Sequence, residues 1–232
     1  MFGKATMALA LAAVACMIAG PGLAHIGLLP PLAGLALFAL SGLLGLAAMV
    51  ASAISALRFR AWFPSLVGML GCLPLMAVAA GTLDGLRYPP LNDIATDTAH
   101  PPAFVRAATL PELAGRNLDF PPANVEPIAA HYPEMAPLHL KEAPLQVHQR
   151  ARAIAASKQF GWTITEEYEN YGGFEAIAKT RLFQWKDDVA VRILPDGEGA
   201  CTVDMRSRSR EGKSDLGANA RRIRRFLEAL QE

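Results

Sequence analysis

The chain has 232 residues, with 22 Lys and Arg against 21 Asp and Glu, and a formal net charge of +1. The near-neutral total hides two unlike halves, and it is the slight acidity of the second, with the topology argued below, that speaks against a nucleic-acid binder. Residues 1–83 hold Lys4, Arg58 and Arg60 and no acid, while every Asp and Glu lies from Asp84 onward, where 19 Lys and Arg leave a net −2.

Between Ala5 and Leu57 there is no Lys, Arg, Asp or Glu. A helix needs about 20 apolar residues to cross the hydrocarbon core, so this run has room for two spans. Gly20-Pro21-Gly22 and Pro30-Pro31 mark where it breaks, because proline lacks a donor and clashes with the preceding turn. Spans are expected at about 5–24 and 32–57, followed by a third at 61–83. That third run contains Pro64 and Pro74, which a membrane helix tolerates when neighbours satisfy the freed carbonyls. An alternative makes residues 1–24 a cleaved signal peptide, with Lys4 as its basic start and Gly22-Leu23-Ala24 as the cleavage site. In either case Arg58 and Arg60 stay cytoplasmic by the positive-inside rule. The expectation is therefore a multi-pass inner-membrane anchor, about three transmembrane helices, carrying an extracytoplasmic C-terminal domain. Cys16 and Cys72 lie in apolar spans and Cys201 is alone beyond them, so no disulfide forms within the soluble part.

From 84 to 144 the chain is rich in proline, with Pro-Pro pairs at 89–90, 101–102 and 121–122. So long a stretch without periodicity is a linker or a functional wrap, and an extended strap laid along the domain is expected. Asn92, Asp93 and Asp97 suit side-chain-to-backbone turns there. An α+β domain over 145–232 is expected next. Val147, Ala151, Ile154 and Ala155 mark a helix over 145–159 that Gly161 ends. Alternating segments at about 162–169, 173–183, 187–194 and 200–209 predict a four-stranded antiparallel sheet with one buried face. In the second of them Phe174, Ala176, Ala178, Thr180 and Leu182 share a side. Turns fall at Tyr171-Gly172-Gly173, Lys186-Asp187 and Pro195-Asp196-Gly197-Glu198-Gly199. Leu216, Ala220, Ile223, Leu227 and Leu230 form the stripe of a closing helix, with Ser214 or Asp215 capping its first turn. Two helices would then flank the sheet.

On a strand, Asp204, Arg206, Arg208 and Arg210 point to one side, away from Val203 and Met205. One reading makes this an anion-binding stripe, since arginine presents a planar fork suited to carboxylate or phosphate. Backbone donors at the start of the last helix, near Asp215, would add to it. The other reading is a row of solvated arginines paired with Asp204, Glu211 and neighbouring acids. Arg221, Arg222, Arg224 and Arg225 lie on the closing helix's polar side, with Glu228 placed to pair with Arg224. Asp93 with Asp97, or Asp187 with Asp188, could hold a hard cation or serve as an acid–base pair, and turn or capping roles compete with this. His100, His131, His139 and His148 show no ligand spacing, and the chain has no phosphate loop, GxSxG elbow or CxxC pair.

Three ordered blocks carry a resemblance. They are Asn92-Asp93-Ile94 with Thr96-Asp97 and Pro101-Pro102-Ala103-Phe104; Asp187-Asp188-Val189-Ala190-Val191-Arg192-Ile193; and Val203-Asp204-Met205-Arg206-Ser207-Arg208-Ser209-Arg210 with Gly212, Ser214-Asp215-Leu216-Gly217, Asn219 and Arg222-Ile223. Together, over about residues 88–230, they resemble the family called domain of unknown function 1499, found in bacteria and plastids. Met205 stands where valine is expected, on the buried face. The resemblance implies membrane-anchored members and supplies no activity, cofactor or substrate.

These readings lead to a non-enzymatic cell-envelope protein without cofactor or metal. Its extracytoplasmic domain would bind a membrane lipid, an envelope polymer or a membrane protein, and no nucleic acid. The candidate ligand-binding residues are Asn92, Asp93, Asp97, Arg206, Arg208, Arg210 and Asp215. The alternative is an envelope hydrolase or transferase using Asp93, Asp97, Asp188 or Asp204.

Overall fold

The computed structural model describes residues 2–59, 63–168, 170, 172–197 and 199–232, and their side chains except at 2–3 and 55–68. Arg60, Ala61, Tyr171 and Glu198, on which the orientation, third-span and turn expectations drew, lie outside the described residues, as does the Arg58 side chain. The chain divides into two units, Met1–Asp84 with Thr180–Gln184, and Gly85–Lys179 with Trp185–Glu232.

The first unit holds three helices: α1 (Phe2–His25), α2 (Pro31–Phe59) and α3 (Phe63–Gly85). Pro21 does not break α1, which continues to His25; it sits near the helix end, where few following turns depend on its geometry. Pro31 instead opens α2, where a missing N–H costs nothing. Gly20 and Gly34 let α1 and α2 approach closely, since a Cβ on Gly20 would lie 2.6 Å from the Gly34 carbonyl oxygen. Small residues at such crossings are how helices pack where no water drives them together. Among the described residues two helical stretches are long and apolar enough to cross a membrane, Lys4–His25 and Pro31–Ile54. Two of the three expected spans pass this test; the described apolar part of α3, Met69–Gly85, is under 18 residues. Only 22% of the first stretch and 28% of the second are buried, so their leucines and isoleucines face outward.

The second unit follows as β1 (Asp93–Ala95), single 3₁₀ turns at Ala107–Thr109, Pro111–Leu113 and Pro122–Asn124, α4 (Val125–His131) and β2 (Leu138–Leu140). Then come α5 (Pro144–Ala156), β3 (Thr163–Glu167), β4 (Gly173–Lys179), β5 (Lys186–Pro195), β6 (Cys201–Ser209) and α6 (Ala218–Gln231). All strand pairs are antiparallel, in the order β1-β6-β5-β4-β3, with β2 pairing β6 beyond β1 along the same edge. The sheet therefore has six strands, not the expected four. The two extra strands come from the proline-rich segment and have three residues each, too few for alternation to register. The second expected strand also ends early, at Lys179, and Leu182 is exposed rather than turned inward.

One face of the sheet follows the hydrophobic alternation. Phe174, Ala176, Val189, Val191, Ile193, Val203 and Met205 are buried with Val147 and Ala151 of α5 and Ala220, Ile223, Phe226 and Leu230 of α6. Trp162 stacks on Phe226 at 4.8 Å, closing the core between the helices. Met205 fills its place there with no exposure. The other face is polar and covered. Segment 97–120 crosses it, placing Phe104, Ala107 and Leu113 on Ala190.

Candidate functional site

The polar face is built by the alternate residues of four strands. Register places Asp93 beside Arg208 and Ala95 beside Arg206. It also sets Asp188 beside Arg208, Ala190 beside Arg206, Arg192 beside Asp204, and Glu175 beside Ala190. Charges buried this way need partners with full hydrogen bonding. Arg206 has them: its Nε donates to Asp93 Oδ1 at 2.9 Å and Nη2 to Asp93 Oδ2 at 2.8 Å. Its remaining protons reach the carbonyls of Pro102 (3.2 Å) and Leu118 (2.8 Å), and the guanidinium lies over the Phe104 and Phe120 rings. Arg206 thus ties the covering segment to the sheet.

Arg210 is held the same way. Nη2 and Nε donate to Asp188 at 2.6 and 3.1 Å, and Nη1 donates to Glu112 at 3.1 Å. Burial raises the Asp188 carboxyl above its ordinary value, against the pull of Arg210. Burial also raises Asp93, with Arg206 opposing it. For Arg210 burial works toward a lower value, yet the Asp188 and Glu112 hydrogen bonds prevail and raise it.

Glu175 is a buried carboxylate that sequence reasoning missed. Its Oε1 accepts the backbone N–H groups of Val105 (2.6 Å) and Arg106 (2.7 Å), and Oε2 that of Ala107 (2.9 Å). Tyr168 donates its hydroxyl to the same Oε1. Burial and that hydrogen bond push the tyrosine well above its usual range. An acid between Phe174 and Ala176, on the off-beat of a buried strand, was the available signal.

The sequence-predicted candidates are therefore real neighbours, but they are bound to one another. Asp93, Arg206 and Arg210 are closed off from solvent, which removes the open arginine stripe; the alternation was right, and the covering segment was invisible to it. Asn92 donates to the Gly212 carbonyl and accepts from Ser209 N–H through its own carbonyl, so it locks β1 to the turn after β6. Asp215 accepts the N–H groups of Gly217 (2.7 Å) and Asn219 (2.8 Å), so this acid itself caps the α6 N-terminus. Burial raises its carboxyl despite those bonds. Asp187 and Asp188 point to opposite faces, Asp187 binding Arg222 of α6. Such a pair cannot converge on a metal, and among the described residues no three His, Cys, Asp or Glu do so.

Arg208 is the exception. It is about one fifth exposed, its one ion pair among the described residues is with Asp93 Oδ2 at 3.9 Å from Nε, and that oxygen already serves Arg206. Its Nη1 is buried without a hydrogen-bond partner.

Further along the same face, between Asp97 and the far end of β5, lies a cleft of about 460 Å³. Asp97 uses Oδ1 to cap the N–H groups of Ala99 and His100 at 3.0 and 2.8 Å, and Oδ2 accepts from Arg192 at 3.3 Å. Arg192 also grips Asp204 Oδ2 through Nε (3.1 Å) and Nη2 (2.8 Å). His100 and His139, unconnected in the sequence, both line this cleft, with Asp196 and Thr202.

Neither a curated protein nor a solved structure matches the chain. A family model described as "protein of unknown function (DUF1499)" matches residues 93–230. That span runs from the first residue of β1 into α6 and contains every ion pair of the polar face. With more than half of its length matched, the chain belongs to this DUF1499 family.

Proposed function

We propose that the chain is a multi-pass membrane protein whose C-terminal domain lies outside the cytoplasm and binds an anionic group of an envelope component at Arg208. The observation that carries the site is the bookkeeping of the polar face. Asp93, Asp188 and Asp204 are each taken by Arg206, Arg210 or Arg192, and among the described residues Arg208 is left without an acid within hydrogen-bond reach. A part-buried guanidinium with an unused donor is costly to leave unpaired, and a phosphate or carboxylate oxygen meets its fork. The outward-facing apolar side chains of α1 and α2 support the anchor, since core helices of a soluble protein are mostly buried. In this reading α3 supplies the third span as a whole 23-residue helix.

Acid–base catalysis gains nothing from this geometry. Asp93, Asp188 and Asp204 are almost fully buried against arginines, out of a substrate's reach.

The test uses the full chain in neutral detergent micelles, doped with phosphatidylglycerol or with phosphatidylcholine. Wild type is expected to bind the anionic micelles, with affinity falling about tenfold in Arg208→Ala, the weight of one charge-assisted hydrogen-bonded contact. Arg208→Lys should fall between, keeping charge without the fork. Arg224→Ala, which removes an exposed pair with Glu134, should behave as wild type. Equal binding by wild type and Arg208→Ala rejects the site. For topology, alkaline phosphatase fused to the C-terminus should be active; activity only from a reporter confined to the cytoplasm reverses the orientation.

A further inference from the structure

We propose that Thr180–Gln184, the tip between β4 and β5, is a membrane-insertion loop whose partner is the lipid bilayer, with Leu182 entering the acyl-chain boundary beside α2. This rests on the reading of α1 and α2 as membrane spans. The tip belongs to the same compact unit as those helices. The Phe183 ring meets Phe38 edge-on with centroids 5.6 Å apart, and a Cβ on Gly34 would lie 3.5 Å from its Cδ1. Gln184 Nε2 is 3.2 Å from Nδ1 of His25, the last residue of α1. Helix α2 begins at Pro31. At 1.5 Å per residue, Phe38 lies about 10 Å along the helix from that end. Interfacial segments bury their apolar side to a similar depth, about 5–10 Å.

The chemistry of the tip fits that depth. Leu182 is 58% exposed, where strand alternation would have turned it inward. Within the same unit, Ile26, Leu28 and Leu32 at the α1–α2 turn are more exposed still, so apolar surface continues at the end of the helices where Phe183 packs. An irregular loop can leave water only if its backbone finds partners inside the protein. Gln184 supplies them. Its backbone N–H donates to the Thr180 carbonyl at 3.1 Å, and its Nε2 reaches the carbonyls of Thr180 at 3.0 Å and Arg181 at 3.3 Å. The residue holds this fold with a φ of 59°, a conformation uncommon outside glycine. No acid occurs from Ala176 to Lys186, and Lys179 and Arg181 are exposed. Their long stems let the charges reach lipid phosphates while Leu182 points into the chains. Trp185, half-buried behind the tip, is of the residue type that lines membrane interfaces.

The experiment places one nitroxide at a time on the full chain in vesicles of phosphatidylethanolamine and phosphatidylglycerol. Cys16 and Cys72 are replaced by alanine, while Cys201, fully buried, stays in place. The chain without an added cysteine gives the background. Leu182→Cys is compared with Leu46→Cys, at an exposed side chain of α2, and with Glu228→Cys, on the exposed side of α6. Collision with oxygen, which concentrates among acyl chains, is measured against collision with a water-soluble nickel chelate. Position 182 should follow position 46, with an oxygen-to-nickel ratio several-fold above that at 228. A label at 182 open to nickel, with 46 still in lipid, overturns the insertion and leaves the membrane reading standing. Shielding of 182 from both reagents means that protein covers it, and overturns the proposal as well. Should 46 itself be open to nickel, the spans fail and the insertion fails with them.

Discussion

Replacing Asp93 by alanine should cost the C-terminal α+β domain about 3–5 kcal/mol, the range for removing one partner of a buried ion pair. Arg206 would remain, 2% exposed, bonded to the Pro102 and Leu118 carbonyls but with no counter-charge within hydrogen-bond reach among the described residues. A guanidinium cannot escape by losing a proton. The converse substitution, Arg206→Met, should cost less through electrostatics, because the stranded Asp93 can take up a proton, and burial already pushes its carboxyl upward. It should instead loosen the 97–120 segment, whose ties to β6 run through the two carbonyls and the Phe104 and Phe120 rings. The double variant Asp93→Ala/Arg206→Met should recover much of the alanine variant's loss, since no buried charge is left over. Urea unfolding followed by tryptophan fluorescence gives the first and third values, with Trp162 packed on Phe226 as core reporter. Limited proteolysis gives the second. Equal losses in all three variants would show that the pair's charge does not matter.

The parts of this domain that follow from local rules were legible. α6 carries Ala220, Ile223, Phe226 and Leu230 at helical spacing, and all four are buried; Asp215 caps it as its position suggested. Leu216 was grouped with that stripe but precedes the helix, with a φ of 54° and part of its side chain exposed, because Gly217 rather than Leu216 begins the turn. The alternation of Arg206, Arg208 and Arg210 placed them on one face correctly. What it could not say is what lies over that face. Asp93 is 113 residues from Arg206, Glu112 is 98 from Arg210, and Asp97 is 95 from Arg192. No periodicity spans such distances, and the covering segment has only single 3₁₀ turns to give it a pattern. The three sequence blocks that carry the family likeness are the pieces that pair: Asp93 with Arg206, Asp188 with Arg210, Asp187 with Arg222. Their common signature is therefore first a folding signature. The proposed function rests on the charge it leaves over, at Arg208.

A second large loss is expected at Gly173, where β4 begins. Its φ is +120°, a conformation that residues with a Cβ rarely adopt. A Cβ built there would lie 1.9 Å from the Val191 carbonyl oxygen, which is backbone of the central strand β5 and cannot turn aside. The surrounding hydrogen bonds fix the position. Tyr168 N–H donates to the Gly173 carbonyl at 3.0 Å, and Ile193 N–H donates to the Gly172 carbonyl at 3.0 Å, so the chain is held between β3 and β5 on both sides. Strain at such a φ costs about 1–3 kcal/mol, and forcing atoms into a packed site adds a similar amount. Gly173→Ala should thus lower domain stability by about 3 kcal/mol or more. It should also loosen Tyr168 from Glu175, because the Tyr168 N–H is bonded to the Gly173 carbonyl and shifts with it. Hydrogen exchange at Val105, Arg106 and Ala107, whose N–H groups rest on Glu175, reads that release. As a control, Gly197→Ala also has a positive φ but meets nothing within 4 Å. It should lose only the conformational part, about 1 kcal/mol. Similar losses at the two glycines would mean that the Val191 contact is accommodated, and that the sheet yields where the geometry says it is rigid.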